Sequence, residues 1–172
     1  MTTPRLVLVG PMGAGKTTVG RLVAEALGVG FADTDELVEQ RTGTTVAELF
    51  VDEGEAYFRK LEREAVADAL DTHEGVLALG GGAVLDPDTR AQLTGHRVVF
   101  LRVGLSDAAQ RVGLGVSRPL LLGNVRGRIK QLLDERTPVY ESVAGDVVDT
   151  DGLTARDVAD RVRVLVQDGG HD

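Results

Sequence analysis

The spacing of apolar positions changes period along the chain, and those changes mark out the elements. Leu6-Val-Leu-Val9 is a short uninterrupted apolar run, as in a strand buried on both faces. From Lys16 the period lengthens: Val19, Leu22, Val23, Ala26 and Leu27 recur at helical spacing, and Gly28 supplies a stop. Val29 to Ala32 is a second apolar segment that ends at Asp33-Thr-Asp35, and a helix from Glu36 to Arg41 follows, terminated by Gly43. Thr45-Val-Ala-Glu48 has the form of a capping box opening a short helix, broken near Gly54. Phe58, Leu61, Ala65, Val66 and Ala69 predict a longer helix from Glu55 to Leu70.

Val76 to Leu79 and Arg97 to Leu101 read as the third and fourth strands, with a short helix from Asp86-Pro-Asp88 between them. Ser106 opens a helix that reaches Arg111. The pattern then dissolves between Val112 and Asn124, where Gly113, Gly115 and Gly123 flank Ser117-Arg-Pro-Leu-Leu121. A helix is predicted through Leu133, and Pro138 disfavours helix for Thr137. Asp146 to Val148 is the last strand. Thr154 and Asp157 open a final amphipathic helix ending near Gln167, and the polar tail 168–172 is expected to fray. Strand-like runs alternating with helical ones predict an α/β fold with a parallel sheet. With 172 residues and no long linker, one domain over 1–172 is expected.

Composition removes several classes of chemistry. There are no cysteines, and the three histidines, His73, His96 and His171, lack metal-ligand spacing. The net charge of −8 and 3% aromatic content argue against a nucleic-acid partner, which needs a basic field and stacking platforms. No signal region or membrane-length apolar run is visible, so a cytoplasmic protein with no membrane partner is expected. An acidic chain that binds an anion must gather its positive charge in one cleft, which gives individual arginines weight.

Gly10-Pro-Met-Gly-Ala-Gly-Lys-Thr17 reads G-x-x-x-x-G-K-[ST], between a strand and a helix. Backbone N–H groups here turn inward around polyphosphate, and a Cβ at Gly10, Gly13 or Gly15 would obstruct that path. The helix N-terminus adds its positive dipole end, Lys16 adds a charge near the β- and γ-phosphates, and the Thr17 hydroxyl suits magnesium. Gly13, Ala14, Gly15, Lys16, Thr17 and Thr18 are thus the candidate ATP-binding residues.

Elsewhere the pattern leaves alternatives. Asp33 and Asp35, two apart on an extended chain, can face one site, or Thr34 or Asp35 can merely cap the next helix. Arg59 can pair with Glu62 on the surface or reach into a pocket. Gly80-Gly-Gly82 is either a plain turn or backbone approaching a ligand, and the stretch 113–123 suits a lid.

Taken together, these motifs resemble the shikimate kinase family. The resemblance rests on Gly10–Thr17, Asp33-Thr-Asp35, Phe58-Arg59 with Glu62, Gly80-Gly-Gly82, Arg118-Pro-Leu-Leu121, and Arg136 followed by Pro138 and Tyr140. It implies a nucleoside-monophosphate-kinase-like fold: a five-stranded parallel sheet in order 2-3-1-4-5, flanked by helices, with a substrate-binding segment over about 33–62 and a lid over about 113–123. The implied reaction moves the γ-phosphate of ATP to the 3-hydroxyl of shikimate, giving shikimate 3-phosphate and ADP in aromatic amino-acid biosynthesis. By resemblance, Asp35 holds the substrate hydroxyls and accepts the attacking proton, and Asp33 holds Mg2+ through water beside Thr17. Arg59 and Arg136 clamp the substrate carboxylate, Gly80, Gly81 and Gly82 contact substrate, and Glu62 orients Arg59. Phe50 and Phe58 wall the pocket. Arg118 reaches the phosphates from the lid and joins Lys16 in catalysis, while Arg111 stacks on adenine.

Two features depart from the family. The loop before the final helix, Asp151-Gly-Leu-Thr154, offers no basic or amide adenine contact, and only Arg156 nearby is basic. The lid is unusually glycine-rich around Gly113 and Gly115. The nearest rival is another small-molecule kinase of this fold, such as gluconate kinase; a nucleotide-dependent switch without an acceptor is the rival of a different class. A monomer is expected, since no self-complementary apolar surface can be read.

Overall fold

The computed structural model describes residues 4–108 and 125–169. Its strands are β1 (Leu6–Val9), β2 (Phe31–Asp33), β3 (Val76–Ala78), β4 (Val98–Arg102) and β5 (Asp146–Asp149). They form one five-stranded sheet in the order β2-β3-β1-β4-β5, with every neighbouring pair parallel. This is the order expected above. The helices are α1 (Lys16–Leu27), α2 (Thr34–Thr42), α3 (Val46–Asp52), α4 (Glu55–Thr72), α5 (Pro87–Gln92), α6 (Val125–Val143) and α7 (Ala155–Gly169). A 3₁₀ turn spans Ala83–Leu85, and a helical turn begins at residue 105, one residue before the expected start.

Alternation along the strands divides the core between the two sheet faces. Leu6, Leu8, Val99 and Leu101 pack with Val23 of α1 and Val162 of α7. Val7, Val9, Leu77, Leu79 and Phe100 pack on the other face with Val66 of α4 and Tyr140 of α6. A third cluster of Val38, Leu49, Phe58 and Ala65 holds α2, α3 and α4 together beside the sheet.

Several local expectations change on packing. The predicted break near Thr137 does not occur: α6 runs through Pro138 to Val143. Pro138 is exposed, so the carbonyl it leaves unpaired a turn earlier can face water, while Tyr140 beyond it is 1% exposed and stacks near Phe100 at 5.0 Å. Burial of that ring outweighs the local preference. The cap of α2 is Asp33, not Thr34 or Asp35; its Oδ1 accepts from the Asp35 N–H at 2.8 Å and the Glu36 N–H at 3.4 Å. Asp35 therefore sits on the first turn of a helix rather than on an extended strand. Only half of the Thr45 capping box forms: Thr45 Oγ1 accepts from the Glu48 N–H at 3.1 Å, but the Glu48 carboxylate takes the Thr44 hydroxyl. At the last helix the box is reciprocal, with Thr154 N–H donating to Asp157 Oδ2 at 3.2 Å and Asp157 N–H to Thr154 Oγ1 at 3.1 Å. That helix extends to Gly169, so 168–169 are helical, and 170–172 of the tail lie outside the described residues.

Candidate active site

The C-terminal ends of β1, β2 and β3 open on one cavity of ≈ 550 Å³, where ligands of open α/β sheets bind. Chain order reverses beside β1, whose neighbours are β3 and β4, so the loop after β1 faces the resulting crevice.

That loop is the glycine-rich stretch. Gly13 and Gly15 have φ of 88° and 87°, which L side chains adopt only under strain. A Cβ on Gly10 would lie 2.7 Å from the Leu101 carbonyl oxygen, which fixes the loop against β4. Gly15 caps α1 without a side chain, so the first turn of that helix points its donors at whatever the loop holds. The Lys16 ammonium folds back and donates to the carbonyls of Gly10 at 2.7 Å and Pro11 at 3.0 Å. Burial pushes its pKa down to about 8, against the pull of Asp33 and Asp35.

The carboxylates lie next to it. Thr17 Oγ1 donates to Asp33 Oδ2 at 3.0 Å, while the other Asp33 oxygen caps α2, so this one side chain joins α1 to α2. Asp35 lines the cavity, and its pKa is raised, first by burial and then by Asp33, with Lys16 opposing. A carboxylate of raised pKa beside a buried ammonium is suited to accepting a proton. The hard oxygens of Thr17 and Asp33 suit Mg2+, and no group of three or more acidic or imidazole ligands that could hold a metal exists among the described residues.

Across the cavity, Arg59 on α4 donates from Nη1 to Glu62 Oε1 at 2.8 Å and from Nη2 to Glu55 Oε2 at 3.4 Å. Glu62 is 3% exposed; burial raises its pKa while the Arg59 hydrogen bond holds it down. The pair is therefore not the solvated surface contact that the spacing alone allows. Arg136 on α6 reaches the same cavity beside Gly81. Gly80 and Gly82 are where they are because nothing larger fits. A Cβ on Gly80 would meet Asp35 Oδ1 at 2.6 Å and Glu62 Oε2 at 2.9 Å, and one on Gly82 would meet Arg59 Nη2 at 2.5 Å. Phe50 and Phe58 both line the cavity with centroids 5.0 Å apart; Phe58 also belongs to the core, whereas Phe50 is 37% exposed.

Of the residues singled out in the sequence, Lys16, Thr17, Thr18, Asp33, Asp35, Arg59, Gly80, Gly81, Gly82 and Arg136 line this cavity together with Gly13 and Gly15. Ala14 lies in the core beneath the loop. Arg111, Arg118 and the lid over 113–123 lie outside the described residues. Two groups act in ways the sequence does not indicate, Thr34 being read there only as a candidate helix cap and Tyr140 only as part of a motif. Thr34 Oγ1 accepts from the Gly80 N–H at 2.9 Å, and the Tyr140 hydroxyl donates to the Gly81 carbonyl at 2.6 Å. Thr34 was visible between the two aspartates. Tyr140 shares a helix face with Arg136 one turn earlier, a relation hidden by the expected break at Pro138.

Comparison with known proteins gives one answer. The family model described as shikimate kinase matches residues 12–167. A shikimate kinase of Thermobifida fusca is 57% identical over 159 residues, covering 92% of each chain. A solved shikimate kinase of Acinetobacter baumannii in complex with shikimate superposes with a TM-score of 0.88 at 37% identity, over 98% of this chain and 95% of that one. A gluconokinase of Sinorhizobium meliloti reaches a TM-score of 0.59 at 20% identity, over 94% of this chain and 90% of that one; this is a likeness of fold alone.

Proposed function

The chain belongs to the shikimate kinase family, and we propose that the cavity above β1–β3 carries out that family's reaction with the residues gathered there. The activity is phosphoryl transfer from ATP to the 3-hydroxyl of shikimate, a step of aromatic amino-acid biosynthesis. The observation that carries the assignment of residues is that a phosphate loop, a basic carboxylate and two arginines share one cavity of ≈ 550 Å³.

The polyphosphate of ATP lies in the loop from Gly10 to Thr17, with Lys16 leaving its two carbonyl partners for the β- and γ-phosphates. Arg59 and Arg136 receive the acceptor's carboxylate, each charge-assisted contact being worth about 1.5–3 kcal/mol. Gluconate is also a carboxylate, so the hydroxyl end of the site must complete the selection. Asp35 supplies that end: it holds the ring hydroxyls and points the reacting one at the γ-phosphorus. The hydroxyl oxygen forms a bond to phosphorus as the bond to the β–γ bridging oxygen breaks. The hydroxyl proton passes to Asp35, and ADP departs with the bridging electrons. Mg2+, held by Thr17 and through water by Asp33, supplies neutralisation of phosphate charge when bound. Arg118 adds charge from the lid and Arg111 stacks on the base, both by family resemblance.

One domain, with its substrate-binding segment at about 33–62 and lid at about 113–123, carries all of these parts. The enzyme works as a cytoplasmic monomer, where ATP is available, without nucleic-acid or membrane partners. Among the described residues no helix is long and apolar enough to cross a membrane. The test is ADP release with ATP and Mg2+ in the presence of shikimate, gluconate or neither. The expected result is turnover with shikimate only, abolished in Asp35→Asn. Turnover with gluconate instead discards the carboxylate-plus-hydroxyl assignment, and ADP release indifferent to either acceptor points to a nucleotide switch.

A further inference from the structure

The glycine loop that faces the acceptor is itself held at two points by side chains to which the chemistry gives no part. We propose that Thr34 and Tyr140 are positioning residues that tether the Gly80–Gly81 backbone and thereby set the shape of the shikimate subsite. This rests on the reading that Gly80–Gly82 borders the acceptor.

The ladder between β2 and β3 explains the first tether. Val76 donates its N–H to the Gly30 carbonyl at 2.9 Å, and the pairing ends with Asp33 opposite Ala78. Advancing both strands in step, the Gly80 N–H would next meet the Thr34 main-chain carbonyl. At Thr34 the chain has already turned into α2, so that carbonyl belongs to the helix. The Thr34 hydroxyl stands in for it, accepting from the Gly80 N–H at 2.9 Å, with the residue 0% exposed. The side chain thus extends the sheet by one bond beyond the last strand residue. It does so between Asp33 and Asp35, so the carboxylate pair and the glycine loop cannot move independently.

The second tether comes from the opposite side. Tyr140 is 1% exposed, and its hydroxyl donates to the Gly81 carbonyl at 2.6 Å. Its ring is fixed against Phe100, and Arg136 one helical turn earlier interacts with the same hydroxyl. One clamp arginine and one end of the glycine loop are therefore referred to a single phenol. With the Gly80 N–H and the Gly81 carbonyl engaged by side chains, and the Gly80 carbonyl accepting from the Ala83 N–H at 3.0 Å, the peptide between them has little freedom to rotate. Its remaining group, the Gly81 N–H, therefore keeps one orientation.

The test is steady-state kinetics of Thr34→Val, Thr34→Ser and Tyr140→Phe, with shikimate and ATP varied separately. Valine keeps the threonine shape but leaves the Gly80 N–H buried without an acceptor, so the shikimate KM should rise about tenfold or more while the ATP KM stays within about twofold. Serine should restore the wild-type shikimate KM. Tyr140→Phe should raise the shikimate KM in the same selective way, and the double variant should show less than the product of the two effects, since the two tethers hold the peptides on either side of the Gly80–Gly81 bond. KM is independent of the fraction of folded enzyme, so partial misfolding lowers kcat without imitating the result. If Thr34→Val yields no soluble protein, Tyr140→Phe decides alone. A shikimate KM unchanged in Tyr140→Phe and Thr34→Val overturns the proposal, as does an equal rise in both KM values. Failure of the family reading is separately visible as wild-type protein without shikimate-dependent turnover, and it removes the proposal with it.

Discussion

Gly82→Ala tests the geometry of the carboxylate clamp without touching a charged group. Gly82 has φ −100° and ψ 1°, which alanine adopts without strain, so the backbone should accept the change. The added methyl is another matter: its carbon would stand 2.5 Å from Arg59 Nη2, 2.6 Å from Nη1 and 2.8 Å from Cζ. Ordinary contact begins at 3.4 Å, so the guanidinium must retreat by roughly 1 Å. Its bond to Glu62 is 2.8 Å long, and a shift of that size breaks it or turns the fork away from the acceptor. Losing one charge-assisted contact of about 1.5–3 kcal/mol corresponds to a fall of roughly 10- to 150-fold in kcat/KM for shikimate. The ATP KM should hold, because the hydrogen bonds of Arg59 run to Glu62 and Glu55 on its own helix and not to the phosphate loop. The melting point should fall modestly, because the weakened bond to the buried Glu62 outweighs the gain of about 0.4–1 kcal/mol that replacing a glycine draws from the unfolded state. The assay is coupled ADP release with each substrate varied, alongside a melting curve. An unchanged shikimate KM with normal kcat would refute the placement of Arg59 at the acceptor carboxylate.

Burial raises the pKa of Asp35, so its neutral form is the one the fold favours; the stability tied to this group is complete below the ordinary carboxylate value and is lost as pH rises through the raised one. Asp35→Asn should therefore melt higher than wild type at pH 7, by roughly 2–4 °C for each kcal/mol, while losing turnover; a lower melting point contradicts this account. The same shift should carry the acid limb of kcat/KM above the range of a free aspartate, and a limb at the ordinary position contradicts the basic role. Lys16, with a pKa of about 8 before nucleotide binds, should take up a proton when polyphosphate restores its charge. Calorimetry of ATP binding at pH 8.5 in two buffers of different ionisation heat should show that uptake, which fades below about pH 7 and is absent in Lys16→Met. The cap that Asp33 forms and the magnesium role proposed for it separate by substitution: Asp33→Asn should keep the α2 cap and raise the Mg2+ needed for half-maximal rate, whereas Asp33→Ala should also lose about 1 kcal/mol of stability. Equal melting points for the two variants would show that the cap contributes nothing.

The elements that local chemistry dictates could be read from the chain. Leu6–Val9 has no polar face to leave in water, Gly15-Lys16 opens a helix after a phosphate loop, and Gly28 and Gly43 end their helices in left-handed conformations with φ 70° and 72°. The sheet order and the identities of Asp35, Arg59 and Arg136 came from several motifs read together, since no single spacing carries them. The residues between 109 and 124, with Arg111 and Arg118, keep the standing that resemblance gives them.

What the sequence by itself determined was the set of local pieces and the residue types able to bind polyphosphate and a carboxylate, because caps, glycine angles and apolar periods act over a few residues. Tertiary structure decided the relations between distant positions. Asp33 proved to cap α2 while reaching Thr17 on α1, because the strand places it where both can be met. The helix carrying Arg136 continued through Pro138 because burying Tyr140 against Phe100 outweighs one missing backbone bond. Thr34 became an extension of the sheet because its own carbonyl had entered a helix. Each depends on what the rest of the chain brings within about 3 Å of a polar atom, a distance that residue order alone does not contain.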